Sequence, residues 1–158
     1  MAELGRAALI ICLGLASYAL IAGGYAARRG KRRLSLSAQN ALLASCVSVF
    51  IAGGVLVAAF LRRDFSFTYV ADYSSSRLPL RYTMSALWGG QAGSLLFWLV
   101  VLTAYSAAAV LLARRRAGEL IAWVVPVLGA VQLFFAFLLV AVASPFDAKG
   151  LADGKIRN

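Results

Sequence analysis

Side chains able to do chemistry are scarce in this sequence, and their types narrow what the chain can be. There is no histidine, so the commonest general base and the commonest metal-ligating side chain are absent together. Cys12 and Cys46 each lie inside an apolar run and form no C-x-x-C pair, which leaves thiol exchange and thiolate–metal chemistry without a motif. No carboxylate pair, activated nucleophile, phosphate loop or metal-ligand cluster is present. No residue is assigned a catalytic or metal-binding role, and catalysis by this chain alone has nothing to work with.

What remains is a small-residue and aromatic constellation. Trp88-Gly89-Gly90-Gln91-Ala92-Gly93-Ser94 contains two rows of small residues four apart, Gly89 with Gly93 and Ala86 with Gly90 and Ser94, and such rows let a second backbone come close. Ile21-Ala22-Gly23-Gly24 and Ile51-Ala52-Gly53-Gly54 offer similar surfaces. In a helix regular from Gln91, the residues Gln91, Ser94, Trp98 and Tyr105 fall on one stripe, because their offsets return to nearly one direction. A stripe mixing hydrogen-bonding groups and aromatics is expected to face another helix, or a flat amphipathic ligand, in place of lipid. Gln132, in a later apolar run, needs a hydrogen-bond partner on another helix. Pro126 before it frees the carbonyl of Ala122 and predicts a kink.

The elements that must position these residues are membrane spans. The chain has 158 residues, 62% of them hydrophobic, and its charges are bunched between apolar runs of about 20 residues or more, the length that crosses a bilayer. Spans are predicted at 7–27, 38–61, 94–113 and 120–143, none containing Asp, Glu, Lys or Arg. The fold class is therefore all-α: a polytopic membrane protein, a four-helix transmembrane bundle in a single domain over 1–158 with one extracytoplasmic loop. The net charge of +10 sits at span ends, where it contacts headgroups, and no basic face interleaved with aromatics is available to stack bases, which excludes nucleic acid as a partner.

In the first span the basic cluster Arg28, Arg29, Lys31, Arg32 and Arg33 follows the apolar run, the reverse of a secretory signal, so it reads as an uncleaved anchor. Positive charge crowded into short loops puts the loop from Arg28 to Ser37 and the loop at Arg114, Arg115 and Arg116 in the cytoplasm, and the amino terminus outside. The segment 62–87 then lies outside. It opens with Phe65, Phe67 and Tyr69 alternating with polar residues, as in an extended stretch on the headgroups, and Leu78-Pro79 breaks regular structure. The tail 144–158 is expected to be irregular and mobile.

The outer segment and third span carry a specific pattern: Asp64-Phe65-Ser66, Tyr69-Val70-Ala71, Ser74-Ser75-Ser76, Leu78-Pro79, Tyr82, then Trp88-Gly89-Gly90-x-x-Gly93-Ser94-Leu95-Leu96-x-Trp98. This resembles the CcmF, CycK and NrfE family of cytochrome c haem lyase membrane subunits, in its amino-terminal portion. Members typically have His-Glu between the glycines where this chain has Gln91-Ala92. The family continues through a His-Pro-Pro segment, a tryptophan-rich haem-handling segment and haem-ligating histidines. The resemblance implies one product of a split gene, or a truncation, that assists haem delivery and covalent attachment to apocytochrome c at the outer face of the bacterial inner membrane. Haem would be held with other subunits. Implied partners are the polypeptide carrying the remaining segments, a CcmE-type haem chaperone, a CcmH-type thiol oxidoreductase, apocytochrome c and membrane lipid. The implied docking residues for haem or partners are Trp88, Gly89, Gly90, Gln91, Gly93, Ser94, Trp98 and Tyr105. Asp64, Phe65, Ser66, Tyr69, Leu78, Pro79 and Tyr82 form the extracytoplasmic motif. Alternatives are a purely structural assembly subunit and, with only Pro126 and Gln132 in its favour, half of a small-solute transporter.

The charge pattern predicts that, in a background without Cys12 and Cys46, an impermeant maleimide labels Ser75→Cys but not Arg32→Cys in intact cells. The opposite labelling pattern would invert the topology.

Overall fold

The computed structural model describes residues 2–61, 90–114, 120–143 and 145–146. They form four helices: α1 (Ala2–Arg29), α2 (Arg32–Leu61), α3 (Gln91–Ala113) and α4 (Leu120–Ala141). All four are long and apolar enough to cross a membrane, and the chain is a multi-pass membrane protein. The ends of α3 and α4 fall close to the predicted spans. By contrast α1 begins at Ala2 instead of 7, and α2 at Arg32 instead of 38. Helical hydrogen bonding does not require apolar side chains, so Glu3, Arg6, Arg32 and Arg33 stay helical while their long stems carry charge to the headgroup level.

The predicted loop from Arg28 to Ser37 shrinks accordingly to Gly30 and Lys31. Gly30 has φ +62°, a left-handed conformation that is costly for other residues. It lets the Lys31 N–H donate to the Ala26 carbonyl at 3.2 Å, the closing bond of a Schellman turn. The Ser35 N–H then donates to the Lys31 carbonyl at 3.0 Å and opens α2. Across this hairpin the Tyr18 and Ser37 hydroxyls are 2.9 Å apart.

α1 packs most extensively on α2 and α4, α2 packs on α3, α3 more sparsely on α4, and α2 touches α4 across the diagonal. The buried face of α1 consists of Gly5, Ala8, Leu9, Cys12, Ala16, Ala19, Ala22, Gly23 and Ala26, small residues with one exception. Lipid tails are as apolar as leucine, so helices associate in a bilayer through close dispersion contact, which small faces permit. The closest approach is to α4: a Cβ on Gly129 would lie 2.9 Å from the Leu20 nitrogen and 3.2 Å from the Ala16 carbonyl oxygen. One turn along the same seam the roles reverse, with a Cβ on Gly23 falling 3.1 Å from Val125 Cγ1 and 3.2 Å from Pro126 Cδ.

Of the tail 144–158, expected to be irregular and mobile, only Pro145 and Phe146 are among the described residues. Pro145 and Phe146 form a turn and are buried, with the Phe146 ring over Gly5, where any Cβ would overlap it. The missing side chain on α1 makes a seat for an aromatic ring, and burying that ring outweighs the cost of ordering two residues.

Four hydroxyls in the bundle turn back on their own helix: Ser17 donates to the Leu13 carbonyl, Ser48 to Ala44, Thr103 to Val100 and Ser106 to Leu102. Ser45 is different. Its Oγ donates to the Leu42 carbonyl at 2.8 Å and to Gln132 Oε1 on α4 at 2.7 Å. Gln132 thus finds its partner across the diagonal, but one proton is shared between two acceptors, and Gln132 Nε2 is buried with no partner among the described residues.

Two outcomes follow from this packing. Gly129→Leu should destabilise the bundle by about 1–3 kcal/mol in a denaturant titration in detergent, whereas Gly54→Leu, where a Cβ meets nothing within 4 Å, should change it little. Equal losses would show that the α1–α4 seam is not the tight one. Gln132→Leu removes a hydrogen bond worth about 0.6 kcal/mol in membranes together with an unpaired donor costing roughly 1–3 kcal/mol. It should therefore be neutral or stabilising in the same titration. Ser45→Ala strands the whole amide and should destabilise; the reverse ranking would refute this account of the pair.

Candidate functional site

Gly90 stands at the head of α3 with φ −109° and ψ 161°, and its carbonyl accepts the Ser94 N–H at 3.1 Å. The helix is regular from Gln91 onward, as the stripe requires. Its buried face, however, is Ala92, Gly93, Leu96, Leu99, Thr103, Ser106 and Val110. The stripe lies on the other side: Gln91 is exposed and Ser94 half-buried, Trp98 is 59% exposed and Tyr105 74% exposed. Among the described residues the two rings of the stripe, Trp98 and Tyr105, are therefore not packed between helices. Small side chains let α3 approach α2 and α4 more closely than Trp98 or Tyr105 would, and the large rings are turned outward.

Trp98 packs edge-on against its neighbour Phe97, with ring centroids 6.2 Å apart and planes at 65°, a favoured arrangement of two quadrupoles. The outward face of α3 thus offers a pair of crossed rings, an amide at its head and a phenol two turns below the indole. That is equipment for contact with a flat or aromatic surface, and none of it is nucleophilic.

Gly93 belongs to the buried face. It lines an apolar groove of about 180 Å³ between α2 and α3, together with Phe50, Gly53, Gly54, Leu56, Val57, Leu96, Phe97 and Val100. The small residues of α2 and α3 that the sequence singled out separately are brought together here, with a Cβ on Gly53 falling 3.5 Å from Val100 Cγ2. Trp88 and Gly89 lie outside the described residues, as do Asp64, Phe65, Ser66, Tyr69, Leu78, Pro79 and Tyr82.

At the opposite end of the bundle a polar clamp joins α3 to α2. Arg114 caps α3, its N–H donating to the Val110 carbonyl at 3.0 Å. Its guanidinium donates through Nε to Gln39 Oε1 at 2.9 Å and through Nη2 to Asn40 Oδ1 at 2.5 Å. Gln39 in turn donates to Ser35 Oγ at 3.3 Å. The sequence reading gave Arg114 only a topological role and passed over Gln39 and Asn40. The available signal was two amides in the first turns of a span, where lipid would leave them unsatisfied. Cys12 and Cys46 are free thiols, the first buried and the second partly so. Among the described residues no group of three His, Cys, Asp or Glu comes together.

No family model matches the chain, but individual proteins do. It is 38% identical over 147 residues to the cytochrome c-type biogenesis protein CcmF of Pseudomonas aeruginosa, covering 92% of this chain and 22% of that protein. It is 32% identical over 149 residues to CcmF of Escherichia coli, covering 93% and 23%. It is also 33% identical over 156 residues to CycK of Rhizobium meliloti, covering 99% and 23%. Its helices superpose on a solved cytochrome c haem lyase CcmF with a TM-score of 0.85 at 28% identity, over 92% of this chain and 24% of that one. The chain spans less than a quarter of the length of these relatives, and agreement in sequence and in fold runs through nearly all of it. A bacterial multi-pass inner-membrane protein with this bundle, and with this similarity along its length, belongs to the CcmF, CycK and NrfE family of cytochrome c-type biogenesis proteins.

Proposed function

We propose that this chain works as part of a cytochrome c haem lyase, helping to seat haem and apocytochrome c at the outer face of the inner membrane through the outward side of α3. The observation that carries this reading is the superposition on a haem lyase over 92% of the chain, combined with two rings, Trp98 and Tyr105, that the described helices leave exposed. The similar lyase is about four times longer than the matched region, and its remaining portion is the natural occupant of that face, on the same or a separate polypeptide. In this reading the amino terminus and Gly90 lie outside, and a CcmE-type haem chaperone, a CcmH-type thiol oxidoreductase and apocytochrome c meet the assembly on that side.

Haem enters this scheme as substrate. The chain has no histidine, and its two thiols lie within membrane-spanning helices, so its residues do not fit axial ligation of the iron. Its contribution is shape and contact. Trp98 and Tyr105 present flat, polarisable faces with a polar edge, suited to a porphyrin rim or to the aromatic side of a neighbouring helix. Gln91 sets a hydrogen-bonding group at the head of the stripe. Rings of this kind carry a large share of contact energy where they are covered by a partner.

The test is co-expression of the chain with the remaining lyase portion, followed by copurification and by the yield of covalently attached cytochrome c. Trp98→Ala with Tyr105→Ala should weaken recovery and cytochrome yield by about tenfold or more, while Leu111→Ala with Leu112→Ala, also on the exposed surface of α3, should not. Normal recovery and normal cytochrome in the aromatic variant would refute the docking role and favour a purely structural assembly subunit.

A further inference from the structure

At the Gly30 end the helices splay around a cavity of about 550 Å³, and we propose that it binds one anionic phospholipid, with the phosphate among Lys31, Arg32 and Arg114 and the upper acyl chains against α1 and α4. The cavity exists because the residues that could fill it are small: Ala26, Ala27 and Gly30 on one side and Ala122 on the other, with open space where a Gly30 side chain would stand.

Its lining combines two chemistries. It carries three cations, Lys31, Arg32 and Arg114, together with the amide of Gln39 and the hydroxyl of Ser35. Arg32, Ser35 and Gln39 follow one another at helical spacing along one face of α2. Arg114 is held in place by Gln39 and Asn40 through Nε and Nη2, which leaves Nη1 uncommitted to any side chain among the described residues. Leu36, Ile121 and Ala122 add apolar surface to the same lining. Such a combination matches an amphiphile with an anionic head, and a soluble anion would leave the apolar part wet.

The electrostatics point the same way. Among the described residues the one carboxylate is Glu3, at the far end of the bundle, so the described lining of the cavity carries three cations and no anion. Two helices begin at this end, α2 at Arg32 and α4 at Leu120, and two end there, α1 at Arg29 and α3 at Ala113, so their terminal partial charges largely offset one another and the side-chain cations set the field. The level is that of the headgroups: Trp123, at the rim, is 54% exposed, and the Tyr25 ring nearby lies under Lys31 Nζ at 5.3 Å, the position aromatic residues take at a membrane interface. Basic pockets between helices at headgroup depth recognise anionic lipid.

The experiment uses the full chain in nanodiscs of mixed phosphatidylglycerol and phosphatidylcholine, with retained lipid read by native mass spectrometry after transfer to detergent. One phosphatidylglycerol per chain should be retained in preference to phosphatidylcholine. Lys31→Gln with Arg32→Gln should weaken retention by about fivefold per cation removed, whereas Arg28→Gln with Arg29→Gln, an equal charge change outside the cavity, should leave it intact. Ala122→Phe, which fills the cavity and keeps every charge, should also abolish retention. Equal retention of the two lipids, an equal effect of the Arg28 and Arg29 control, or displacement of lipid by millimolar inorganic phosphate or glycerol 3-phosphate would each overturn the proposal.

Discussion

The backbone contact between α1 and α4 at Gly129 is the constraint on which the rest of the bundle depends. Attraction between helices in lipid comes from atoms in close contact and falls away within about an ångström of extra separation. With Gly129 against Ala16 and Leu20, and Gly23 against Val125 and Pro126, the two backbones are as close as side-chain deletion allows. The same small-residue side of α1 is shared with α2, so α1 is the post around which α2 and α4 are hung. α3 is reached only through those two neighbours and makes the sparsest contacts of the four. A helix held on one narrow face has its other face free for different work, and in α3 that free face carries Trp98 and Tyr105.

Much of this was legible in the sequence because a bilayer imposes so strict a rule on what crosses it. Four uncharged runs of spanning length could be little else, and the observed helices cover these runs almost throughout. Their ends were less legible, since nothing in hydropathy says where a helix stops once its side chains are polar; α2 carries on to Arg32 well beyond its apolar run. The turn at Gly30 is written in one residue, but recognising it requires knowing that the flanking residues are helical.

The candidate site was legible in geometry and illegible in direction. Regular helix from Gln91 fixes which residues share the stripe, yet whether that stripe faces inward is decided by competition with the small face opposite, and aromatics are at home on either side. The seam at Gly129 left no trace, because a lone glycine in an apolar run gains meaning only from the register of α4 against α1, and that register is set far away in sequence. Pro126 was read for the hydrogen bond it cannot make; in the structure its ring is also a packing surface for Gly23. Gln132 was expected to reach another helix and does, through Ser45; which helix that would be depended on the same missing register.

The tight turn at Gly30 also bears on how the protein is made. With two residues between α1 and α2, closing that hairpin confines almost no chain, so the two helices can meet as soon as both have left the ribosome, at small entropic cost. α4 lies roughly a hundred residues downstream of its place on α1, and its seat must stay open while α3 and the intervening segment are synthesised. During that interval the row of alanines and glycines on α1 faces lipid or an insertase, a surface too smooth to be gripped strongly by either. A small-residue face is in this sense a waiting surface: α2 takes part of it at once, and the rest favours a helix whose own glycine allows full approach.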